Sequence, residues 1–182
     1  MFPKNTFVDP LIREGSKRLV IAEAPGEEES YQAEPLVGGC GTIFRGGKTR
    51  DPRTNKDRRY GGLIAQAGLR DEDLSYINTI QCRPPNNIYP TDSKARSYIS
   101  AGDAAAATKH CFNAHVAPVL RHLPWQRVDL LGDKALRALF PEKTHGITGW
   151  RGSPLIYDIL DVNGDQLKRV CCVPTIHPAA LM

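Results

Sequence analysis

The chain has no Cys-x-x-Cys pair, no internal repeat and no apolar run approaching the roughly 18 residues of a membrane span. The first absence argues against a cysteine metal site. The second excludes solenoids and propellers, and the third excludes a transmembrane helix. The opening residues Met1-Phe2-Pro3-Lys4-Asn5 carry neither the cationic start nor the apolar core of a signal peptide. Five cysteines in 182 residues are an odd count and do not make a disulfide framework. A reducing, cytoplasmic compartment is the expectation. Gly47-Lys48-Thr49 ends like a phosphate-binding loop, but the glycine that pattern requires falls on Thr42, and no strand immediately precedes it. Nucleoside triphosphate hydrolysis is therefore not expected.

What is present is ordinary globular composition, with 41% hydrophobic and 24% charged residues, enough for one domain over residues 1–182. The net charge of +4 is unevenly spread. Seven basic residues lie between Arg45 and Arg59 against only Asp51 and Asp57, so that stretch carries +5 and the remainder sums to −1. A basic insertion at about 45–61, almost free of apolar side chains, reads as a mobile loop. It is either simply solvated or an arm that attracts phosphate.

Four short apolar runs read as buried strands: Arg18–Ala22, Leu74–Asn78, Val128–Leu131 and Val170–Val173. Between them, helices are predicted over Gly61–Gly68, Ser93–Thr108, Lys109–Leu123 and Asp133–Phe140, the last capped by Asp133 and ended by Pro141. Strands alternating with helices predict an α/β fold: three α/β/α layers around a central, mostly parallel four-stranded sheet. Ligands of such sheets bind beyond the carboxyl ends of the strands. The residues that follow the strands are Glu23-Ala24-Pro25-Gly26, Asn78, Gly132 and His177-Pro178. Each is a turn former or a hydrogen-bonding group, and together they make one rim a candidate site. Cys171 and Cys172, adjacent in a strand, point to opposite faces. Cys40, between two glycines, reads as a packing residue, and Cys82 with Cys111 is too few for a metal site by itself.

In order, these segments resemble the uracil-DNA glycosylase superfamily, and within it family 4, the iron–sulfur type. Ala22-Glu-Ala-Pro-Gly-Glu-Glu-Glu29 matches the family's Gly-Glu-Ala-Pro-Gly-x-x-Glu except at Ala22. Pro35-Leu-Val-Gly-Gly-Cys-Gly41 is similar to Pro-Phe-Val-Gly-x-Ala-Gly. Asn78 to Asn87 carries Asn-x-x-x-Cys-Arg-Pro-Pro-x-Asn, and Leu131-Gly132, Arg151-Gly152 and His177-Pro178-Ala179 complete the series.

The resemblance implies a DNA glycosylase that extrudes uracil from DNA and hydrolyses its N-glycosidic bond. Glu23 and His177 would be catalytic. Ala24, Pro25, Gly26, Leu36, Asn78 and His177 would hold the base, with Leu36 standing where the family stacks an aromatic ring. Arg53, Arg58, Arg59 and Arg151 would contact DNA. Cys82 and Cys111 would be the third and fourth ligands of a [4Fe–4S] cluster whose first pair is missing, so a cluster is expected only in a longer chain. The resemblance further implies a domain trimmed at both ends. The implied partner is uracil-containing DNA, bound by a monomer with no membrane association, alongside a replication or repair protein. The alternative reading is a non-catalytic DNA-binding module of such a protein.

Overall fold

The computed structural model describes residues 7–50, 54–143 and 145–181. Along the chain these form β1 (Arg18–Ala22), α1 (Glu27–Gln32), α2 (Gly39–Arg45), β2 (Gly47–Arg50), β3 (Asp57–Tyr60), α3 (Leu63–Gln66) and β4 (Leu74–Asn78). There follow α4 (Ala101–Cys111), α5 (Ala117–His122), β5 (Arg127–Leu131), α6 (Asp133–Leu139), α7 (Gly146–Trp150), β6 (Leu155–Leu160) and β7 (Gln166–Thr175).

The central sheet has the order β4-β1-β5-β7-β6, with the first four strands parallel and β6 antiparallel to β7. Alternation along each strand builds two cores. Leu19, Ile21, Ile77, Val128 and Leu130 pack on one face against Val116, Leu120, Leu136 and Leu139 of α5, α6 and the turn before α5. Val20, Ala22, Tyr76 and Leu131 face the other way onto Leu36, Phe44 and Ile64, around α2 and α3. Both faces of β1 and β4 are thus covered, which explains their continuous apolar sequences.

The expected four strands are present, but the sheet has five. The additional strand, β6, is an edge strand with exposed Ile156, Asp158 and Leu160 alternating with more buried neighbours. It lacks the uninterrupted buried run by which the others are legible. The segment expected to be a mobile insertion instead contains an antiparallel hairpin, β2 paired with β3. Backbone pairing needs no apolar side chain. Asp133 does not cap α6: Gly132 is the N-cap, at φ 90°, and Asp133 pairs with Arg137 at 2.6 Å. The two helices predicted over Ser93–Thr108 and Lys109–Leu123 are divided differently. Ser100 caps α4 by accepting the Asp103 amide at 3.1 Å. The helix then runs through a π-turn at Phe112–Val116 into α5. The π-turn sits just ahead of Pro118, which brings no amide to an α-helical ladder.

Gly41 shows how tightly the α2 side is built. A β-carbon there would lie 1.9 Å from the Leu36 carbonyl oxygen. Leu36 itself is in the left-handed region at φ 55°, so the loop has no slack. We expect Gly41→Ala to lower stability by about 1–3 kcal/mol, the usual cost of overpacking, measured by urea denaturation.

Candidate active site

The strand ends converge as the order of elements requires. Ala22 and Asn78 are paired neighbours in the ladder between β1 and β4. Gly132 follows β5 and donates its amide to the Thr175 carbonyl at 2.9 Å, bringing the end of β7 alongside. A cavity of about 400 Å³ opens at this rim, and its lining includes Glu23, Ala24, Pro25, Gly26, Leu36, Asn78 and His177. Every base-holding or catalytic residue expected from the sequence is thus brought to one place.

Asn78 is 2% exposed, and its Nδ2 has no hydrogen-bond partner among the described residues. A buried unpaired donor costs roughly 1–3 kcal/mol. The neighbouring Gln81 donates to the Asn78 carbonyl at 2.6 Å, which fixes the backbone and leaves the side-chain amide to the cavity. His177 accepts the Ala179 amide at Nδ1, at 3.2 Å. That bond places the imidazole proton on Nε2. Burial pushes the His177 pKa down, so the ring is a neutral donor.

Glu23 and His177 crowd the same glycine. A β-carbon on Gly132 would lie 2.4 Å from Glu23 Oε1 and 3.0 Å from the His177 β-carbon. Only glycine serves there, both for that space and for its φ. Burial raises the Glu23 pKa, opposed by the Lys134 backbone amide and ammonium. A desolvated carboxylate of this kind is the more basic for it.

Glu29 was not singled out from the sequence as a site residue. It is 8% exposed, and its two oxygens accept the Gly26 amide at 3.1 Å and the Gly38 amide at 3.0 Å. It therefore ties the loop after β1 to the loop before α2, the two walls of the cavity. Its spacing, three residues after the helix-capping Gly26, is the signal available in sequence. The bond also occupies the Gly26 amide, and Pro25 has none, so Ala24 carries the amide left in this turn. Tyr89 lines the cavity too. Its hydroxyl bonds Thr79 at 2.8 Å, and the Lys134 ammonium lies 5.3 Å from its ring centroid. Nothing in the Pro/Asn-rich sequence around it announced that place. Cys40 lines the cavity as well, rather than serving only as packing.

Of the expected DNA contacts, Arg151 closes α7 beside the carboxyl end of β7, where the Gly152 amide bonds the Pro174 carbonyl at 2.8 Å. Arg58 and Arg59 lie on β3, outside the cavity lining. Arg53 falls outside the described residues. Arg45, counted in the basic run, is structural: it bonds Asp71 at 2.8 Å and Glu34 at 2.6 Å.

Cys82 and Cys111 come together. Gln81 donates its amide to Cys111 Sγ at 3.2 Å, and Cys82 is near enough to raise the Cys111 pKa along with burial. No group of three or more His, Cys, Asp or Glu among the described residues is placed to hold a metal. Two thiols do not fit a cluster that takes four. The described residues therefore do not make an iron–sulfur site.

This geometry can be set beside known proteins. The family model for the uracil DNA glycosylase superfamily matches residues 10–182. The chain belongs to that superfamily. It is 28% identical over 162 residues to a type-4 uracil-DNA glycosylase of Thermotoga maritima, covering 89% of this chain and 64% of that protein. It is 27% identical over 167 residues to the Saccharolobus solfataricus type-4 uracil-DNA glycosylase, covering 90% and 61%. Over 88 residues it is 32% identical to the Archaeoglobus fulgidus type-4 uracil-DNA glycosylase, covering 48% and 36%. The chain thus spans less than two-thirds of the length of these relatives. Within the superfamily fold, the cavity lies where α/β sheets place their ligands. No helix among the described residues is long and apolar enough to cross a membrane.

Glu29→Ala should destabilise the protein by at least about 1–3 kcal/mol, the cost of one orphaned buried amide. Hydrogen exchange at the Gly26 and Gly38 amides should quicken together. Glu29→Gln, which keeps one acceptor oxygen, should fall between the two.

Proposed function

We propose that this chain excises uracil from DNA by hydrolysing the bond between uracil N1 and the sugar. The observation that carries the reading is the unpartnered Asn78 amide, buried in the same cavity as a neutral His177 and a desolvated Glu23.

Uracil offers an acceptor at O4 and a donor at N3. The Asn78 carboxamide, with one donor and one acceptor, meets both. Cytosine reverses the pair with an amino donor and a ring-nitrogen acceptor, and would leave buried groups unpaired. Such mismatches are rejected strongly, by about 10⁴–10⁵ where a site is built around the bond.

As the glycosidic bond breaks, its electron pair goes to the base and positive charge appears on the sugar. His177 Nε2–H donates to uracil O2 as that oxygen gains charge. A neutral imidazole suits the task because it stabilises the anion without first surrendering a proton. Water adds to the sugar carbon, and Glu23 takes the water's proton. Leu36 and Pro25 supply apolar contact to the base, while Ala24 and Gly26 allow the backbone close to it. Arg151 contacts the DNA backbone from the rim, and Arg58 and Arg59 add positive charge from the hairpin. Such an enzyme works as a monomer inside the cell, where its DNA is. No step is assigned to an iron–sulfur group.

The direct test is alkali-revealed strand scission of a labelled oligonucleotide with one uracil, against a uracil-free strand. Scission confined to the uracil strand supports the reading. Binding without scission would replace it with a non-catalytic DNA-binding module. His177→Ala should lower excision by about 10²–10³, the usual cost of one oxyanion donor, while DNA affinity measured by anisotropy stays level. The excision rate should also rise with pH through a midpoint above the ordinary carboxylate range, because Glu23 must be ionised and burial raises its pKa. Glu23→Gln should run slowly and without that limb over the same range.

A further inference from the structure

Glu23 is held from two directions. Its Oε1 lies over Gly132, where a β-carbon would come within 2.4 Å of it. Two residues on, the Lys134 amide donates to the same oxygen at 3.5 Å. The Glu23 backbone is fixed separately. Thr79 donates its hydroxyl to the Glu23 carbonyl at 2.5 Å, which leaves Thr79 Oγ1 to accept from the Tyr89 hydroxyl at 2.8 Å. Burial above all pushes the Tyr89 pKa up to about 12, so the phenol keeps the proton that this bond needs.

The Lys134 side chain closes the circuit. Its ammonium lies 5.3 Å from the Tyr89 ring centroid and pairs with Asp92. Contacts thus run in a ring from Glu23 to Thr79, to Tyr89, to Lys134 and back to Glu23. Lys134 itself stays off the base. It does not line the cavity that holds Asn78 and His177. It lines a neighbouring cavity of about 590 Å³, with Tyr89 as a wall common to both. Its influence on the reaction therefore passes through Glu23 or Tyr89.

Charge favours Glu23 as the route. The charged groups acting on Glu23 are Lys134, Asp92 and Asp133, and of these Lys134 alone is positive. Asp92 is paired with Lys134, and Asp133 with Arg137. The α1 acids Glu27, Glu28 and Glu29 line the same cavity and add to its negative side. His177 is neutral and Tyr89 protonated. Burial, with Glu29 and Glu23, pushes the Cys40 thiol up, so it too is uncharged at neutral pH. Burial drives a carboxyl toward its neutral form, which cannot take a proton from water. A nearby cation opposes that drift.

We propose that Lys134 is the positioning residue for Glu23, its amide fixing the carboxylate's orientation and its ammonium keeping it ionised. The inference rests on the uracil reading only for the reaction that Glu23 serves.

Lys134→Met and Lys134→Gln remove the charge and keep the amide; Lys134→Arg keeps both. Urea denaturation identifies the folded variants, and either neutral variant suffices. The Glu23 carboxyl carbon is titrated by NMR in the free protein, its signal assigned by comparison with Glu23→Gln. Uracil excision is followed against pH in parallel. Removing a cation favours the neutral acid, so both midpoints should rise in the neutral variants, by about one pH unit. Excision well below the midpoint should then fall about tenfold, with the deficit closing as pH rises. Lys134→Arg should bring both midpoints back to those of the wild type. An unmoved Glu23 titration in a folded neutral variant would overturn the proposal. In that case a loss of excision equal at every pH would make Lys134 a prop for Tyr89. An arginine variant shifted as far as the neutral ones would overturn it as well. A raised Glu23 titration beside an unmoved excision profile would leave the role of Lys134 standing and remove Glu23 as the proton acceptor. No excision by any form, the wild type included, with the titration still raised, would sink the uracil reading alone.

Discussion

The cavity depends on one carboxylate held between two glycine amides. Glu29 is buried, and accepting from Gly26 and Gly38 makes that burial tolerable. The glycines are part of the same device. A β-carbon on Gly26 would lie 2.7 Å from a Glu29 oxygen, and one on Gly38 would lie 3.0 Å from both. The loops approach each other closely enough to share one acid only because neither carries a side chain. The Ala24-Pro25 turn and the Leu36 loop are consequently set relative to each other by hydrogen bonds as well as by the apolar packing of Leu36. Walls fixed in this way suit the flat, polar base of the proposed reaction, since directional bonds hold position where apolar contact alone does not.

A second constraint operates on the opposite wall, at Gly132. Glu23 and His177 both press on it, one from the end of β1 and one from the end of β7. The parallel sheet brings them together; neither is near the other in sequence. Burial then acts on them in opposite senses. It makes the carboxylate more basic and the imidazole less so. The acid becomes the better proton acceptor, and the histidine remains neutral with its Nε2 proton available. In the proposed reaction, one environment thus divides two roles between two groups.

Much of this was legible in the sequence, and what was not has physical causes. Strands buried on both faces announce themselves as unbroken apolar runs, so β1, β4, β5 and β7 were readable, and with them the rim. Asn78 and His177 were readable because they follow those strands. The edge strand β6 was not counted, since half of its side chains meet solvent. The hairpin was read as a loop, since its pairing is carried by backbone groups that leave no trace in side-chain pattern. Glu29 looked like one of three acids suited to a helix start, and only the fold distinguishes it: its side chain alone reaches both glycine loops. Tyr89 lies eleven residues beyond Asn78 in a Pro/Asn-rich turn region, where no periodicity points inward. Arg45 was counted with the mobile charges, but its partners Asp71 and Glu34 are brought to it by the chain's return and not by sequence proximity.

Leu36 raises the question of how such a cavity discriminates without a stacked ring. It is 5% exposed and packs with Val20, Phe44 and Tyr76, so it is as much core as wall. Stacking on an aromatic ring is worth about 1–3 kcal/mol per base and favours every base alike. Leu36 is already buried, so it gains little further burial against a base and offers apolar contact without the π component. Losing a stack therefore reduces affinity but hardly alters preference. On the uracil reading proposed above, preference resides in the Asn78 amide, where a wrong base leaves a buried donor or acceptor unpaired. Tyr89 does not simply replace the missing ring, because its hydroxyl is committed to Thr79 and its ring lies beneath Lys134. A site of this kind relies on the edge of the base more than on its face.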